Sequence, residues 1–271
     1  MGAPVRVSRT RRVALTIAGT DSCGGAGVVA DLKTFEAHDV WGAVAVTAVT
    51  AQDTTASFGA QLVTPDFVEL QIRLVADDIG VDAAKTGMLG SADVVSAVAG
   101  ALHDAGRPPL VVDPVLIATA GHVLLDPDAV ASLQRDLLPL ATVVTPNLAE
   151  AATLSGIAVV DRNAMERAAR AIAELGPAVV MVTGGHLEGE QSPDCLLTGG
   201  EVRWLDGARI ATPHTHGGGC VLSAAICAEL ARGMEPVDAC IAGKRFVERA
   251  IAAGFQLGGG PGPADPGWRC R

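Results

Sequence analysis

Residues 213–225 of the chain read PHTHGGGCVLSAA, and this stretch decides how the fold is interpreted. Three glycines lead directly into an alanine-rich apolar segment, with Cys220 at the junction. The first amides of a helix have no partners inside the helix, and the helix dipole adds partial positive charge there. Glycines allow such a backbone to surround an anion. The stretch therefore predicts either a phosphate-binding turn or a flexible loop that enters a buried helix.

Cys220 would lie at the start of this helix, where the positive end of the dipole stabilises a thiolate. Its reference pKa of about 8.5 would then move toward neutrality. A cysteine hydrolase that pairs Cys220 with His214 or His216 is one alternative, although the sequence shows no third group to orient the histidine. A zinc site built from the same three residues is another, and it lacks a fourth ligand.

The composition indicates a protein with a large core and no nucleic-acid partner. The chain has 271 residues, of which 49% are hydrophobic and only 3% aromatic, and its formal net charge is −10. A negative charge of this size disfavours binding to nucleic acid or to an anionic membrane. The six cysteines form no Cys-x-x-Cys pair, which is typical of free thiols, so we expect a cytoplasmic protein.

Short apolar runs alternate with helical patterns along most of the chain. This alternation predicts an α/β fold in which helices cover both faces of a mostly parallel central sheet. We predict a flexible basic tail at residues 1–12 and a single domain over residues 13–271, because no linker or repeat divides the latter. The predicted strands are 13–18, 43–50, 81–85, 110–112, 142–144, 178–182, 194–198, 201–204 and 209–211, and the predicted helices are 26–37, 65–78, 91–105, 127–138, 148–154, 161–175, 220–232 and 236–253.

Polar residues follow the predicted parallel strands at the point where each strand ends. The carboxyl ends of parallel strands meet at one edge of the sheet, which is where ligands bind in open α/β folds. We therefore expect a single active-site rim. It comprises residues 19–21, 52–53, 85–87, 113–114, 145–147 and 183–186.

Residues 25–30, GAGVVA, fit the Gly-x-Gly-x-x-Ala pattern of dinucleotide-binding folds. The match is weak, because residues 19–24 separate these glycines from the strand and no acidic residue ends the second strand at the required spacing. A glycine-rich helix entry is the preferred interpretation, and an NAD-linked oxidoreductase is a distant alternative.

Asn147 and Glu150 begin a predicted helix directly after a strand. An amide and a carboxylate at this spacing lie on one helix face, where they could hold a hydrated Mg²⁺ and a phosphate. The same pair fits a helix cap, with Asn147 as the N-cap and Glu150 reaching back to it. Asp113, at the end of a strand, is open to two similar interpretations, as a metal ligand or as a turn residue.

Nine motifs are spread along the chain in the order LTIAGTD (15–21), GGAG (24–27), ADLKTF (30–35), TPDFV (64–68), KTGML (85–89), VDPV (112–115), TPNLAEA (145–151), GGHL (184–187) and THGGGC (215–220). In this order they resemble the motifs of the hydroxymethylpyrimidine and phosphomethylpyrimidine kinases of thiamin biosynthesis, a family of the ribokinase-like superfamily. The resemblance extends from residue 14 to residue 268, which is nearly the whole chain.

The resemblance implies a ribokinase-like fold and a kinase that uses ATP and Mg²⁺. Such an enzyme phosphorylates 4-amino-5-hydroxymethyl-2-methylpyrimidine and then its monophosphate, which gives the diphosphate. The resemblance also implies a cytoplasmic homodimer whose partner is a small-molecule pyrimidine. A pyridoxal or pyridoxine kinase shares this fold and the cysteine at position 220, so it is the first alternative.

The resemblance also assigns roles to residues of the predicted rim. The residues assigned to catalysis are Gly217, Gly218, Gly219 and Cys220. Those assigned to the pyrimidine are Gly19, Asp31, Gln52 and Met88. Those assigned to the nucleotide are Asn147, Glu150, Thr183 and Gly185, and those assigned to the metal are Asp113 and Glu150. Gln52 would bind the hydrogen-bonding edge of the ring. Cys220 would deprotonate the hydroxyl, and a weak base suffices because phosphoryl transfer relies mainly on positioning and charge stabilisation.

Five positions differ from the pattern that we expect of the family. Cys23 stands where the pattern has Ser, Thr183 where it has Lys, and Gly218 where it has Thr or Ser. Val221 stands where the pattern has Thr, and Gly259 where it has Lys. Hydroxyl and ammonium contacts to phosphate would be lost, whereas contacts from backbone amides would remain. These changes favour, as an alternative from another class, a pyrimidine-binding protein with weakened catalysis.

Overall fold

The computed structural model describes residues 10–116 and 127–270, so the first nine residues of the predicted basic tail lie outside it. The strands are β1 Val13–Ala18, β2 Trp41–Val46, β3 Ala48–Gln52, β4 Ser57–Leu62, β5 Ala83–Thr86, β6 Leu110–Val112, β7 Val143–Val144, β8 Val179–Val182, β9 Asp194–Thr198 and β10 Glu201–Leu205. The α-helices are α1 Gly27–Ala37, α2 Pro65–Asp78, α3 Ala92–Asp104, α4 Pro127–Ser132, α5 Leu148–Ser155, α6 Arg162–Ala173, α7 Gly218–Ala231 and α8 Pro236–Ala252.

Eight of these strands form one sheet in the order β10-β9-β8-β7-β6-β5-β1-β2. Neighbours from β2 to β8 run parallel, whereas β9 and β10 are antiparallel additions at one edge. All residues of β1, β5, β6, β7 and β8 are buried, as expected for parallel strands that are covered on both faces. The predicted α/β fold with a mostly parallel sheet is therefore confirmed.

Helices cover both faces of this sheet and define two apolar clusters. One face packs against α2 to α6, and Ile72 and Ile172 are fully buried there. The other face packs against α1, α7 and α8, and Phe35 and Ile226 are fully buried there. Residues 221–231 of α7 are all buried, which explains why small apolar residues dominate this helix. Within the described residues, no helix is both long enough and apolar enough to cross a bilayer.

The prediction of one strand over residues 43–50 is wrong. The strand is interrupted at Thr47, between β2 and β3. The amide of Thr47 donates to the carbonyl of Ala18, and its hydroxyl donates to the carbonyl of Met88. Beyond this break, β3 leaves the main sheet and pairs antiparallel with β4, a strand with no counterpart among the predicted elements. Almost every residue of β4 is exposed, so it has no apolar alternation by which a sequence pattern could show it.

The predicted strand at residues 209–211 is also wrong, because the described chain forms only a single bridge there, between Gln191 and Ala208. The predicted strands at residues 194–198 and 201–204 are confirmed as β9 and β10, which pair antiparallel. The helix predicted over residues 127–138 is α-helical only through α4 and continues as a π-helical turn. The remaining predicted elements agree with the structure to within two residues at each end.

Candidate active site

A buried ion pair lies below the sheet edge at which the parallel strands end. Lys85, on β5, donates from its Nζ to both carboxylate oxygens of Asp31, on α1, at 3.0 and 3.1 Å. The hydroxyl of Thr16, on β1, donates to Asp31 Oδ2 at 2.6 Å. All three residues are fully buried. The cluster therefore holds β1, β5 and α1 together beneath the expected ligand-binding edge.

Lys85 keeps its charge in this position. Although burial alone would lower the pKa of Lys85, the carboxylate of Asp31 raises it above its ordinary value. Lys85 is absent from the predicted site residues, yet the sequence contains a signal for it. A charged residue within a short, fully buried strand needs a partner of opposite charge, because an unpaired buried charge is strongly destabilising.

Asp113 extends the buried cluster toward α7. It follows β6, and its Oδ2 lies 3.9 Å from Lys85 Nζ and accepts a hydrogen bond from the Ser223 hydroxyl at 2.9 Å. Burial raises the pKa of Asp113, while Lys85 and Ser223 oppose this rise. The predicted metal position is thus connected directly to the helix that carries Cys220.

The glycine loop before α7 lies against the loop between β1 and α1. Gly217 has a φ of 75°, and a Cβ at this position would lie 1.8 Å from the carbonyl oxygen of Gly25. Only glycine permits this approach. In the described part of the chain, no backbone acceptor is found for the amides of Gly219 and Cys220. Both amides are therefore available to an anion at the positive end of α7.

The expectation that the pKa of Cys220 moves toward neutrality is wrong. Although part of Cys220 is accessible, burial of the thiol raises its pKa to about 12, and the charges of Asp31 and Asp113 act in the same direction. Lys85 and the amide of Gly27 favour the thiolate but do not compensate for burial. Cys220 is therefore a thiol at neutral pH, in spite of its position in the first turn of a helix.

The four residues predicted for the pyrimidine pocket lie at different depths. Gly19 and Met88 are neighbours, since a Cβ at Gly19 would lie 3.2 Å from Met88 Sδ. Gln52 ends β3 and is half-buried on the small sheet. Asp31 is fully buried beneath the edge, with its carboxylate bonded to Lys85. The structure thus brings Gly19 and Met88 together and places Asp31 below the surface.

Asn147 and Glu150 form the predicted cap of a helix. Asn147 Oδ1 accepts from the amides of Ala149 and Glu150 at 3.0 Å each, and Glu150 Oε2 accepts from the amide of Asn147 at 2.8 Å. Burial and the nearby charge of Asp113 raise the pKa of Glu150 to about 8. Among the described residues, no group of three or more His, Cys, Asp or Glu could hold a metal ion. A bound Mg²⁺ would need water and phosphate oxygens as further ligands.

Thr183 and Gly185 lie in the loop that follows β8. The amide of Thr183 donates to the carbonyl of Pro146 at 2.9 Å, which places Thr183 next to the start of α5. The guanidinium of Arg209 donates to the carbonyls of Gly185 and Gly189 at 2.7 and 2.8 Å. Arg209 is absent from the predicted site, and it holds this loop in shape.

The two alternatives for Cys220 and the neighbouring histidines are not supported. His216 Nε2 donates to Asp21 Oδ2 at 2.9 Å, and His214 Nδ1 accepts from the amide of Gly262 at 3.2 Å. Both rings are engaged with other partners, and within residues 10–116 and 127–270 they form no metal cluster with Cys220. Neither the zinc site nor the His–Cys pair of a hydrolase is present in this part of the chain.

The GAGVVA stretch enters a helix, as preferred from the sequence. The amides of Gly25 and Ala26 donate to Asp21 Oδ2 at 3.0 and 2.8 Å, so they are not free to bind a pyrophosphate. Gly27 begins α1 with a φ of 55°, and a Cβ there would lie 2.3 Å from the carbonyl oxygen of Gly19. These glycines serve loop packing, and the NAD-linked alternative loses its basis.

The sequence profile of phosphomethylpyrimidine kinase matches residues 21–265. The chain belongs to the phosphomethylpyrimidine kinase family. The hydroxymethylpyrimidine/phosphomethylpyrimidine kinase of Streptomyces coelicolor is 47% identical over 259 residues, which cover 96% of each chain. The structure of an ADP complex of Bacillus subtilis pyridoxal kinase has a TM-score of 0.89 at 39% identity and covers 95% of this chain and 98% of that one. Phosphomethylpyrimidine kinase from Clostridium difficile has a TM-score of 0.78 at 38% identity, with 89% and 100% covered.

These relatives confirm the predicted family, the ribokinase-like fold and the phosphotransferase class. The neighbour with bound ADP shows that this fold takes up an adenine nucleotide. Kinases of pyrimidines and of pyridoxal both align over most of the chain. The fold alone therefore does not select the acceptor, and the residues of the site must do so.

Removing one partner of the buried ion pair should strongly destabilise the protein. In Lys85→Met, the Asp31 carboxylate loses its counter-ion in a site without solvent, so we expect the free energy of unfolding in urea to fall by about 3–5 kcal/mol. The double variant Lys85→Met/Asp31→Leu removes both charges and should lose less than the sum of the two single variants. Strictly additive losses would contradict the coupling.

The raised pKa of Cys220 predicts slow alkylation near neutral pH. Only the thiolate reacts with iodoacetamide, so the rate at Cys220 should still rise about tenfold per pH unit at about pH 9, without levelling off. Mass spectrometry of the modified peptides measures this rate, and Cys23 in the same sample serves as an internal reference. A plateau of the Cys220 rate near about pH 8 would show that the thiol ionises close to neutrality.

Proposed function

We propose that this protein transfers a phosphoryl group from ATP to 4-amino-5-hydroxymethyl-2-methylpyrimidine, and then a second one to the monophosphate. The observation that carries the proposal is the pair of amides at Gly219 and Cys220, for which the described residues provide no backbone acceptor. These amides lie near the ion pair of Lys85 and Asp31, since both charges act on the Cys220 thiol. The Streptomyces coelicolor relative, at 47% identity, is named for the same two reactions.

The anion loop supplies most of the catalysis in this proposal. Phosphoryl transfer passes through a loose transition state, so positioning and charge stabilisation dominate over covalent chemistry. Amide donors that are fixed before the reaction stabilise charge where it develops. Gly217 gives the loop its close approach to Gly25, and Gly219 and Cys220 provide the amides.

The acceptor ring is assigned to the space beside Gly19 and Met88. The thioether of Met88 is polarisable and packs well against an aromatic ring. The side-chain amide of Gln52 both donates and accepts, which suits the edge of an aminopyrimidine. Asp31 is fully buried with both carboxylate oxygens bonded to Lys85, so we assign it to holding Lys85 beneath the site rather than to direct contact with the acceptor.

Asp113 and Glu150 fit a hydrated Mg²⁺. Both residues supply oxygen ligands. Burial and Asp113 raise the pKa of Glu150 to about 8, and a neighbouring cation would lower this pKa again. Glu150 Oε2 already accepts the amide of Asn147, so we assign contact through a water molecule. The ion would neutralise charge on the phosphates, with Thr183 and Gly185 beside the nucleotide.

Cys220 is assigned to the acceptor hydroxyl. As a thiol it orients the hydroxyl through a hydrogen bond, and a weak base suffices for a loose transition state. Because the pKa of Cys220 is about 12 in the free protein, substrate binding must lower it if the thiolate is to take the proton.

Two alternatives have specific support. The Bacillus subtilis pyridoxal kinase, with a TM-score of 0.89, makes pyridoxal the second candidate acceptor. The altered positions Gly218, Val221 and Thr183 motivated a binding protein with weakened catalysis. However, Val221 is fully buried and the Thr183 hydroxyl donates to the carbonyl of Pro146 at 3.5 Å, so both side chains are engaged within the fold. The anion loop keeps its backbone donors, which favours the kinase.

The decisive measurement is ADP release from Mg²⁺·ATP with hydroxymethylpyrimidine, its monophosphate and pyridoxal as acceptors. We expect turnover on both pyrimidines, and a loss of about 100-fold in kcat for Cys220→Ala if the thiol handles the proton. Cys220→Ser is the matched variant, since its hydroxyl orients the acceptor but does not ionise. Recovery of kcat in Cys220→Ser would assign the thiol to orientation alone.

The other possible results of this assay distinguish the alternative functions. Turnover on pyridoxal alone would move the protein to the pyridoxal kinases. Pyrimidine binding without any turnover would identify a binding protein. Full turnover in Cys220→Ala would remove Cys220 from the reaction.

The small sheet of β3 and β4 supports a homodimer in this proposal. Its side chains Phe58 and Val49 are 73% and 55% exposed. A two-stranded sheet is marginally stable by itself, and exposed apolar side chains on its edges favour pairing with another chain. A second copy that covers these residues would bury them from water.

Phe58→Asp should convert the dimer into a monomer, because it places a charge in the proposed apolar contact. Light scattering after size-exclusion chromatography measures the mass in solution. Val160→Asp is the matched control, since Val160 is 76% exposed but lies elsewhere on the surface, before α6. A wild-type monomer, or a dimer that persists in Phe58→Asp, would contradict this interface.

We also assign the protein to the cytoplasm. The cysteines at positions 23, 195, 220, 227 and 240 are free, and Cys195, Cys227 and Cys240 are buried. Free thiols of this kind are typical of a reducing compartment.

A further inference from the structure

Asp21 is a buried carboxylate to which the proposed chemistry assigns no role. It is 4% exposed; its Oδ1 accepts from the amide of Cys23 at 2.9 Å, and its Oδ2 accepts from those of Gly25 and Ala26 at 3.0 and 2.8 Å. Burial alone would raise the pKa of Asp21, but hydrogen bonds, first among them that of His216, lower it well below its ordinary value. Asp21 is therefore ionised, and it orders the turn of residues 21–26.

A further bond to Asp21 comes from a distant part of the chain. His216 Nε2 donates to Asp21 Oδ2 at 2.9 Å, and His216 directly precedes the anion loop of residues 217–220. The ring lies against Gly25, where a Cβ would come within 2.6 Å of His216 Cδ2. The side chain of His216 therefore determines the distance between the 21–26 turn and the anion loop.

The backbone of His216 is held by a third segment. Its amide donates to the carbonyl of Gly262 at 3.2 Å, and its carbonyl accepts from the amide of Ala264 at 3.0 Å. The following residue, Gly217, lies against the carbonyl of Gly25, where no side chain fits. The anion loop is thus held by the 21–26 turn on one side and by the C-terminal segment on the other.

We propose that Asp21 and His216 are a pair of positioning residues for phosphoryl transfer. By holding the anion loop on the 21–26 turn, they direct the amides of Gly219 and Cys220 to one point. This inference rests on the proposed kinase activity. The loop donors act on charge that develops during transfer, so the pair stabilises the transition state rather than bound nucleotide.

The test uses His216→Ala in the full-length protein. We expect kcat on the pyrimidine monophosphate to fall about 100-fold, since a small displacement of positioned groups has an effect of this size. KM for ATP and Kd for ADP should change by less than about twofold. Inhibition by Mg²⁺·ADP with aluminium fluoride, which mimics the transferring phosphoryl group, should weaken by the same factor as kcat.

Matched variants separate positioning from folding. His216→Gln keeps a nitrogen donor and should recover most of kcat. The double variant Asp21→Asn/His216→Ala should lose no more activity than the worse single variant, because the two residues act as a unit. His103→Ala, an exposed histidine on α3, should behave as the wild type.

Wild-type kcat in His216→Ala would overturn the proposal, as would an equal weakening of ADP and of the aluminium fluoride complex. Failure of His216→Gln to recover any activity while folded would also overturn it, since the donor would then be irrelevant. A wild type without turnover would overturn the proposed function itself. Turnover in the wild type with unchanged variants would overturn this inference alone.

Discussion

The buried ion pair of Lys85 and Asp31 is the interaction on which the rest of the site depends. Two charges without solvent are stable only when their geometry is good and further hydrogen bonds satisfy them, and Thr16 provides such a bond at 2.6 Å. The pair joins a central strand to α1, whose first residue, Gly27, donates its amide toward Cys220. The ion pair therefore links a central strand, a helix and, through the amide of Gly27, the thiol.

Cys220 shows how burial outweighs a local helix effect. A charge at a helix terminus gains about 0.3–1 kcal/mol, whereas one pKa unit corresponds to about 1.4 kcal/mol. The dipole alone thus lowers the pKa of a thiol by less than about one unit. Burial, with Asp31 and Asp113 nearby, acts in the opposite direction and raises the pKa of Cys220 to about 12. This is why the backbone amides, rather than a resident thiolate, carry most of the proposed catalysis.

Glycine residues allow loops that are far apart in the sequence to pack closely against each other. A Cβ at Gly217 would lie 1.8 Å from the carbonyl oxygen of Gly25 in the loop before α1, and a Cβ at Gly27 would lie 2.3 Å from that of Gly19 at the start of the same loop. Because only glycine permits these approaches, the amino-terminal ends of α1 and α7 meet at one point of the sheet edge. The bond between Asp21 and His216 holds the same two loops from their flanks. The steric and the polar constraint thus favour one arrangement of the anion loop.

The sequence by itself determined the order and type of most elements, the family and the position of the anion loop. These depend on periodicity and on residues that are adjacent in the chain. It did not show β4 or the break at Thr47, because an exposed strand has no apolar pattern. Only the tertiary structure decided which charges are paired and which groups ionise. Lys85 and Asp31 are 54 positions apart, and His216 and Asp21 are 195 apart, and burial depends on the packing of the whole fold.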